Sequence, residues 1–243
     1  MCKSVLEPNY HVQIRVKSPN YLVKIRIKTK YHVEIITKFA KFALMDEINE
    51  IFNLTDKQPQ PVAGSLLVAK PTVDDLCFKR SVIMMIDISS HSSMGLMVNY
   101  EAGDLLHEVI PGIHCDEEVP IYIGGPVDNE RLFYIHTLGP DIIPKSREIA
   151  NGIYIGGEYD AVKHYVNSGA PVQGKIKFMS GYSGWSPGQL DAEIKRHDWA
   201  VDLNPSIDLI MQYSGNEAWR KAVAHFGDRY RMWLNWPNSI ILN

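Results

Sequence analysis

The ten-residue stretch Gly181–Leu190 constrains the fold of this chain more than any other part of the sequence. It reads Gly-Tyr-Ser-Gly-Trp-Ser-Pro-Gly-Gln-Leu. The run Gly174–Met179 before it alternates polar and apolar residues, which is typical of a half-buried strand. Glycines at positions 181 and 184 indicate backbone angles that other residues avoid, or the close approach of another segment. We therefore expect the chain to leave a strand here, make a glycine-rich turn and enter a helix.

The end of this stretch carries the signals of a helix start. Ser186 is a candidate N-cap, and Pro187 would then stand at the first helical position, where its missing N–H costs nothing. Gln189 follows Ser186 by three residues, so its side chain can reach back to the backbone as in a capping box. Asp191 and Lys195 are four residues apart and are expected to form an ion pair on the helix surface.

Two interpretations of the turn remain open. In the first, Tyr182, Trp185 and Gln189 belong to a ligand or partner site, with free N–H groups at the helix N-terminus. In the second, the turn is structural, and Tyr182 and Trp185 fill the hydrophobic core. We favour the second interpretation because aromatic side chains dominate protein cores.

Several further motifs accompany this turn in a fixed order. They are Gly64–Pro71, Phe78–Ile83, Gly95–Asn99, Gly124–Val127, Phe133–His136 and Trp199. Together with the turn they resemble the YqgE/AlgH family of bacterial proteins over most of the chain from Gly64 onward. Members of that family are often labelled transcriptional regulators, a label drawn from an alginate-production phenotype. The resemblance brings no accepted set of catalytic residues.

The resemblance implies an α+β fold with a mixed, bifurcated β-sheet curled into a pseudo-barrel and flanked by helices. We assign this domain to residues 62–243 and a short helix with a polar linker to residues 45–61. Within the domain the patterns predict strands and helices at the following positions. Strands are expected at 65–69, 81–86, 94–99, 119–123, 132–137 and 152–155, and helices within 102–113, at 160–167, after Asn204-Pro205 and at 217–226.

The first 44 residues differ from the rest of the chain. They contain three similar segments, at 10–17, 21–28 and 31–38, each alternating apolar and polar residues. They hold nine Lys or Arg and two Asp or Glu, a net charge of +7, so the remainder of the chain, with 16 basic and 26 acidic residues, carries −10. One interpretation is a basic three-stranded meander for a nucleic acid or a membrane surface. We favour a second interpretation, in which the extension is not part of the natural protein and the natural protein begins at Met45. The reason is that the local signals of residues 1–44 disagree with the rest of the sequence.

The bulk composition narrows the function classes. The acidic charge of residues 45–243 argues against direct nucleic-acid binding. No apolar run reaches the roughly 20 residues that span a bilayer, and no signal peptide is recognisable, so we expect no membrane association. Three cysteines without a C-x-x-C pair fit a reducing cytoplasm. The nine histidines lack ligand spacing, so we expect no metal and no cofactor.

Three other residues are candidates for a ligand or partner site. Arg80 stands at the start of a core strand, where a guanidinium can hold an anion or bond structural carbonyls. Asn99 ends a strand and most often caps a turn. His136 ends another strand and is a candidate base or ligand. The glycine pairs at 124–125 and 156–157 lack the Lys-Ser/Thr of a phosphate-binding loop, so we interpret them as sheet bends or points of close packing.

We assign no catalytic residue. Ser183 does not satisfy the G-x-S-x-G pattern of a serine hydrolase. The leading hypothesis is a non-enzymatic protein with a regulatory or protein-interaction role and an unidentified protein partner. The alternative is a small-ligand-binding protein or enzyme that uses Arg80, His136 and the turn at 181–189.

Overall fold

The computed structural model describes residues 57–73, 75–150 and 152–236, and the backbone of two strands at 10–14 and 23–27. The chain divides into two compact units, residues 1–53 with 235–243 and residues 54–234. In the first unit, strands β1 (Tyr10–Ile14) and β2 (Val23–Ile27) pair antiparallel. They lie in the first two predicted repeats. The third repeat and the predicted helix at 45–54 lie outside the described residues.

The second unit combines one large sheet with short helices. Its strands are β3 (Leu66–Ala69), β4 (Val82–Ile88), β5 (Ser93–Met97), β6 (Glu101–Leu105), β7 (Pro120–Ile123), β8 (Val127–His136), β9 (Arg147–Ala150), β10 (Ile153–Ile155), β11 (Ile176–Trp185) and β12 (Trp199–Asp202). Its α-helices are α1 (Leu106–Val109), α2 (Tyr159–Asn167), α3 (Gln189–Lys195), α4 (Ile207–Met211), α5 (Gly215–His225) and α6 (Arg231–Asn235), with a 3₁₀ turn at Asp228–Tyr230. No helix among the described residues is both long enough and apolar enough to cross a membrane.

The long strand β11 is the centre of the sheet. The strand order is β12-β3-β4-β5-β11-β8-β10-β9, and all these neighbours pair antiparallel. A branch leaves β11 through β7, which pairs parallel with its first half and carries β6 on its other side. Along one edge, β11 therefore pairs first with β7 and then with β5, so the sheet is mixed and divides at this strand.

The two ends of the sheet approach each other without joining. The Arg147 guanidinium on the last strand, β9, donates a hydrogen bond to the Ile86 carbonyl of β4 at 3.2 Å. Gly64, just before β3, packs against the Ile149 carbonyl so closely that a Cβ would overlap it. No ladder connects β9 to these strands among the described residues, so the sheet is open. The predicted helix-and-strand class is confirmed, but the closure into a pseudo-barrel is not.

Three glycines make the division of the sheet possible. A Cβ on Gly124 would fall on the Gly181 carbonyl oxygen, and a Cβ on Gly125 would fall on the Tyr182 carbonyl group. Gly181 has φ +71°, in the left-handed region, at the point where the pairing register of β11 with β8 shifts. The close-packing interpretation of the 124–125 pair is therefore confirmed. Contrary to the prediction, 181–185 is strand rather than turn, because the glycines let β11 continue past this crossing.

The crossing predicts a specific sensitivity at position 124. Gly124→Ala is expected to lower the free energy of unfolding by about 1–3 kcal/mol, the usual effect of overpacking, because the obstructing atom is a backbone oxygen. Gly184→Ala is the matched control: its Cβ would meet only a Tyr182 ring atom at 3.2 Å, which a side-chain shift relieves. Denaturant midpoints for both variants check the expectation, and equal midpoints would contradict it.

Two hydrophobic clusters hold the helices on the sheet. Leu190 and Ile194 of α3 pack with Trp185, Trp199 and residues of β3 and β4. Val162 and Val166 of α2 pack in a second cluster with residues of β7, β8 and β11. Each helix thus buries one apolar stripe, which is the arrangement that its spacing of apolar residues predicts.

Candidate functional site

Trp185 lies in the core, as the structural interpretation of the turn predicts. Its side chain is 4% exposed and meets Trp199 edge to face, with ring centres 6.3 Å apart. Both indole N–H groups donate to the same oxygen, Glu193 Oε2, at 2.8 Å. The other oxygen, Oε1, accepts from the Gln189 amide at 3.0 Å. Glu193, which sequence reasoning missed, therefore connects α3 to the ends of β11 and β12.

The start of α3 differs from the prediction in one respect. The N-cap is Gly188, with φ +74°, and not Ser186, so Pro187 precedes the helix. Gln189 does reach back, and its Oε1 accepts from the Ser186 N–H at 3.1 Å. The helix can begin two residues later than predicted because Gly188 adopts the left-handed conformation that the tight turn before the helix requires. The expected ion pair between Asp191 and Lys195 is absent from the ion pairs of the described residues.

Tyr182 is half-exposed, so the prediction that it fills the core with Trp185 is wrong for this residue; it belongs to a surface where the sheet divides. It stands opposite Val127 of β8 and meets the Phe133 ring at 5.9 Å in an edge-on contact. The Arg131 guanidinium lies 5.0 Å from the centre of the Phe133 ring. On the other side, the Tyr182 ring lies over Gly184, which pairs with Met94. We call these five residues, Met94, Val127, Arg131, Phe133 and Tyr182, the split surface.

A small cavity lies just beyond the end of β11. It measures about 70 Å³ and is bounded by the β4–β5 hairpin, the approach to α3 and the segment at Gln60-Pro61. Ligand pockets for small molecules usually measure about 300–1,000 Å³. This cavity has room for the end of one side chain rather than for a whole cofactor.

Arg80 and Asn99 lie together but inside the protein. Arg80 is 6% exposed and donates to Asn216 Oδ1 at 2.7 Å, with its guanidinium 4.6 Å from the centre of the Trp219 ring. Asn99 is fully buried, accepts from the Val82 N–H and donates to the carbonyls of Arg80 and Gly215. These bonds tie β4 and β5 to the start of α5, so both residues are placed to stabilise the fold.

Lys177 is a second buried cation that sequence reasoning missed. It is 4% exposed, and its ammonium donates to the carbonyls of Val98, Ile210 and Tyr213 at 2.9, 2.8 and 3.1 Å. The Tyr122 ring lies 4.3 Å from the Nζ atom. The pKa of Lys177 is lowered to about 7, because the lowering by burial outweighs the raising effect of the nearby Glu101. The three carbonyl oxygens act against the lowering as well, because they accept from the charged form.

His136 lies on the opposite face of the sheet and is fully buried. Its Nε2 is 3.1 Å from the Gly156 carbonyl oxygen, to which it is placed to donate, and its ring stacks on Tyr154 with centres 5.7 Å apart. The neighbouring Tyr134 hydroxyl donates to the Gly157 carbonyl at 2.8 Å. The two side chains hold the 156–157 loop that leads into α2.

His136 makes stability depend on pH. Burial lowers its pKa, and the bond to Gly156 raises it by less. Below about pH 6.5 the histidine takes up a proton more readily in the unfolded chain than in the folded protein. For each proton taken up on unfolding, the free energy of unfolding then falls by up to about 1.4 kcal/mol per pH unit of acidification. We expect the free energy of unfolding to fall on acidification from pH 7 to 5, and to fall less in His136→Gln.

The matched control for this pH dependence is His107→Gln, on the exposed side of α1. It should reproduce the pH profile of the unchanged protein in chemical denaturation. Identical profiles for His136→Gln and the unchanged protein would contradict the role of the buried imidazole.

The candidate residues do not converge on one site. His136 pairs with Ile176 at the beginning of β11, and Trp185 stands nine residues further along that strand. At about 3.3 Å per residue the strand separates them by up to roughly 30 Å. Lys177, whose ammonium bonds Val98 next to Asn99, faces the side of the sheet opposite to His136. Nor do three or more His, Cys, Asp and Glu side chains gather into a metal-binding group within the described ranges.

The sequence is similar to bacterial relatives along most of its length. The AlgH-like family model, DUF179, matches residues 66–231. A UPF0301 protein of Parabacteroides distasonis is 39% identical over 199 residues, 82% of this chain and 100% of that protein. A UPF0301 protein of Bacteroides fragilis is 35% identical over 194 residues, 80% of this chain and 97% of that protein.

Two solved structures share the fold. A crystal structure of a Corynebacterium diphtheriae protein has a TM-score of 0.63 at 20% identity and covers 76% of this chain and 97% of its own. The solution structure of AlgH from Pseudomonas aeruginosa has a TM-score of 0.57 at 23% identity and covers 76% and 98%. At these identities the likeness concerns the architecture alone.

Proposed function

The chain belongs to the AlgH-like family, and from that premise we propose that it acts by binding another protein in a regulatory role. Family membership supports the regulatory role, and the geometry of the split surface supports the binding of a protein.

The observation that carries the proposal is the composition and placement of the split surface. Tyr, Phe, Met and Arg are the residues enriched at protein interfaces, where aromatic and arginine side chains supply most of the binding energy. Here Tyr182 and Phe133 are half-buried and contact each other edge-on, so their rings are held in place while part of each side chain remains accessible. Val127 and Arg131 are exposed beside them. A rigid aromatic pair with an adjacent cation is the kind of surface that a protein partner recognises.

Site-specific photocrosslinking tests the proposal. A photoreactive phenylalanine analogue at position 182, in the full chain expressed in its own cell, should crosslink to a discrete protein. The same analogue at Tyr159, 43% exposed on α2, is the matched control for nonspecific capture. Arg131→Glu should weaken the specific crosslink, since it removes the cation and places a carboxylate beside the Phe133 ring.

Equal crosslinking from positions 182 and 159 would count against the proposal. So would a nucleic acid as the main crosslinked species, which would favour direct DNA binding instead.

A further inference from the structure

We propose that the cavity at the end of β11 receives the cationic end of a Lys or Arg side chain from the protein partner. The proposal rests on the protein-binding function above and adds a second contact with a defined chemistry. The cavity begins at Ser186, four residues beyond Tyr182 and just past the end of β11. Tyr182 and Trp185 lie on opposite faces of the strand, so a partner that contacts both places has to extend around that end.

The polar groups of the cavity are suited to a cation. Asp191 supplies an exposed carboxylate that makes no ion pair within the described residues. Ser92, Ser93 and Ser186 line the same space, and a serine hydroxyl can accept a hydrogen bond. None of the described residues that line it is Lys, Arg or His. An ammonium or guanidinium, which only donates, can bond these oxygens. Asp191 stands in the first turn of α3, so its carboxylate also offsets the positive end of that short helix.

The apolar part of the cavity is suited to the stem of such a side chain. Pro61, Ile88, Pro187 and Leu190 contribute to its walls. Lys and Arg characteristically lay their methylene groups along apolar surface while the charged end remains among polar groups. A volume of about 70 Å³ has room for that end.

The cavity walls are held in place before any partner binds. Ser89 Oγ accepts from the N–H groups of His91 and Ser92 and donates to the Ser92 carbonyl, which fixes the hairpin tip. Trp185 and Glu193 fix the other wall through the start of α3. Binding would thus require little ordering of the protein, which favours recognition of a single side chain.

Amide chemical-shift titrations of the full chain test the proposal. The probes are capped tripeptides, acetyl-Gly-Xaa-Gly-amide, with Lys, Arg, Gln or Glu in the central position. The Lys and Arg peptides should shift the amides of residues 89–93 and 186–191, and the Gln and Glu peptides should shift them less. Asp191→Asn should weaken the cationic peptides about two- to fivefold, the loss expected for one exposed ion pair. Ser92→Trp, which fills the cavity, should abolish the shifts.

The matched control is Asp160→Asn, which removes an exposed carboxylate from the first turn of α2 and should change nothing. Equal shifts with the Glu peptide, no shifts with any peptide, or an unchanged affinity in Asp191→Asn would overturn the proposal. If a partner crosslinks at position 182 and neither Asp191→Asn nor Ser92→Trp changes its binding, the protein-binding function is supported and the cavity contact is refuted. If the cationic peptides shift the cavity amides but no protein crosslinks at position 182, cation binding at the cavity is supported and the protein-binding function is refuted.

Discussion

Replacing Trp185 by alanine is expected to lower the free energy of unfolding by about 3–5 kcal/mol, the usual loss for deleting a buried aromatic ring. The ring is 4% exposed and packs against Trp199 in the cluster beneath α3. Its loss also removes one of the two indole donors to Glu193 Oε2. Because domains are stable by only about 5–15 kcal/mol, the variant should unfold at a clearly lower denaturant concentration.

Two further variants separate the causes of this loss. Trp185→Phe keeps most of the ring and removes the N–H donor, so it should lose less than Trp185→Ala. Tyr182→Ala deletes a half-exposed ring three residues earlier on the same strand and should lose less still. If Trp185→Ala were as stable as the unchanged protein, the core position of this ring would be wrong, and the turn would become the first place to search for a ligand.

The class of the fold could be predicted because local signals and family motifs agree. The apolar runs at 65–69 and 81–86 form β3 and β4 within two residues of the predicted bounds. Strand β6, with sequence Glu-Ala-Gly-Asp-Leu, was missed because four of its residues are exposed and it lacks any apolar alternation. The open edge of the sheet could not be predicted either, since the approach of β9 to Gly64 depends on contacts between residues distant in sequence.

The roles of the candidate site residues were harder to predict than the fold, because several polar side chains of this protein are buried and make structural hydrogen bonds. A buried Trp185 was the favoured interpretation of the turn. Arg80 was left open between an anion and structural bonds, and the links that Asn99 makes to Val82 and Gly215 could not be predicted from its position at a strand end. The burial of Lys177 could not be predicted, because Lys175 and Lys177 occupy equivalent positions in an alternating run. The available signal was Phe178-Met179, two adjacent apolar residues, which indicates that both faces of the strand are covered from that point. No pattern in the sequence indicates that Glu193 bonds two tryptophans.

Lys177→Met is expected to lower the free energy of unfolding by about 2–4 kcal/mol. Methionine is similar in length and fits the apolar part of the site, so the change mainly removes the ammonium. The carbonyls of Val98, Ile210 and Tyr213 then lose their common donor. The first two bonds are buried and the third is partly buried, and a buried polar group without a partner costs about 1–3 kcal/mol. The release of a buried charge offsets part of this loss, which is why the expected total is less than the sum of three lost bonds.

The location of the loss distinguishes this role from a general packing defect. Lys177 holds the end of α4 and the link to α5, so hydrogen exchange in Lys177→Met should accelerate most at residues 207–215. Lys175→Met, exposed and just before the same strand, is the matched control and should change stability by no more than about 0.5 kcal/mol. If Lys177→Met were as stable as the unchanged protein, the penalty for burying the charge would equal the gain from its three hydrogen bonds. Lys177 would then fix the position of α4 without adding to the stability of the fold, and the accelerated exchange at residues 207–215 would be its remaining signature.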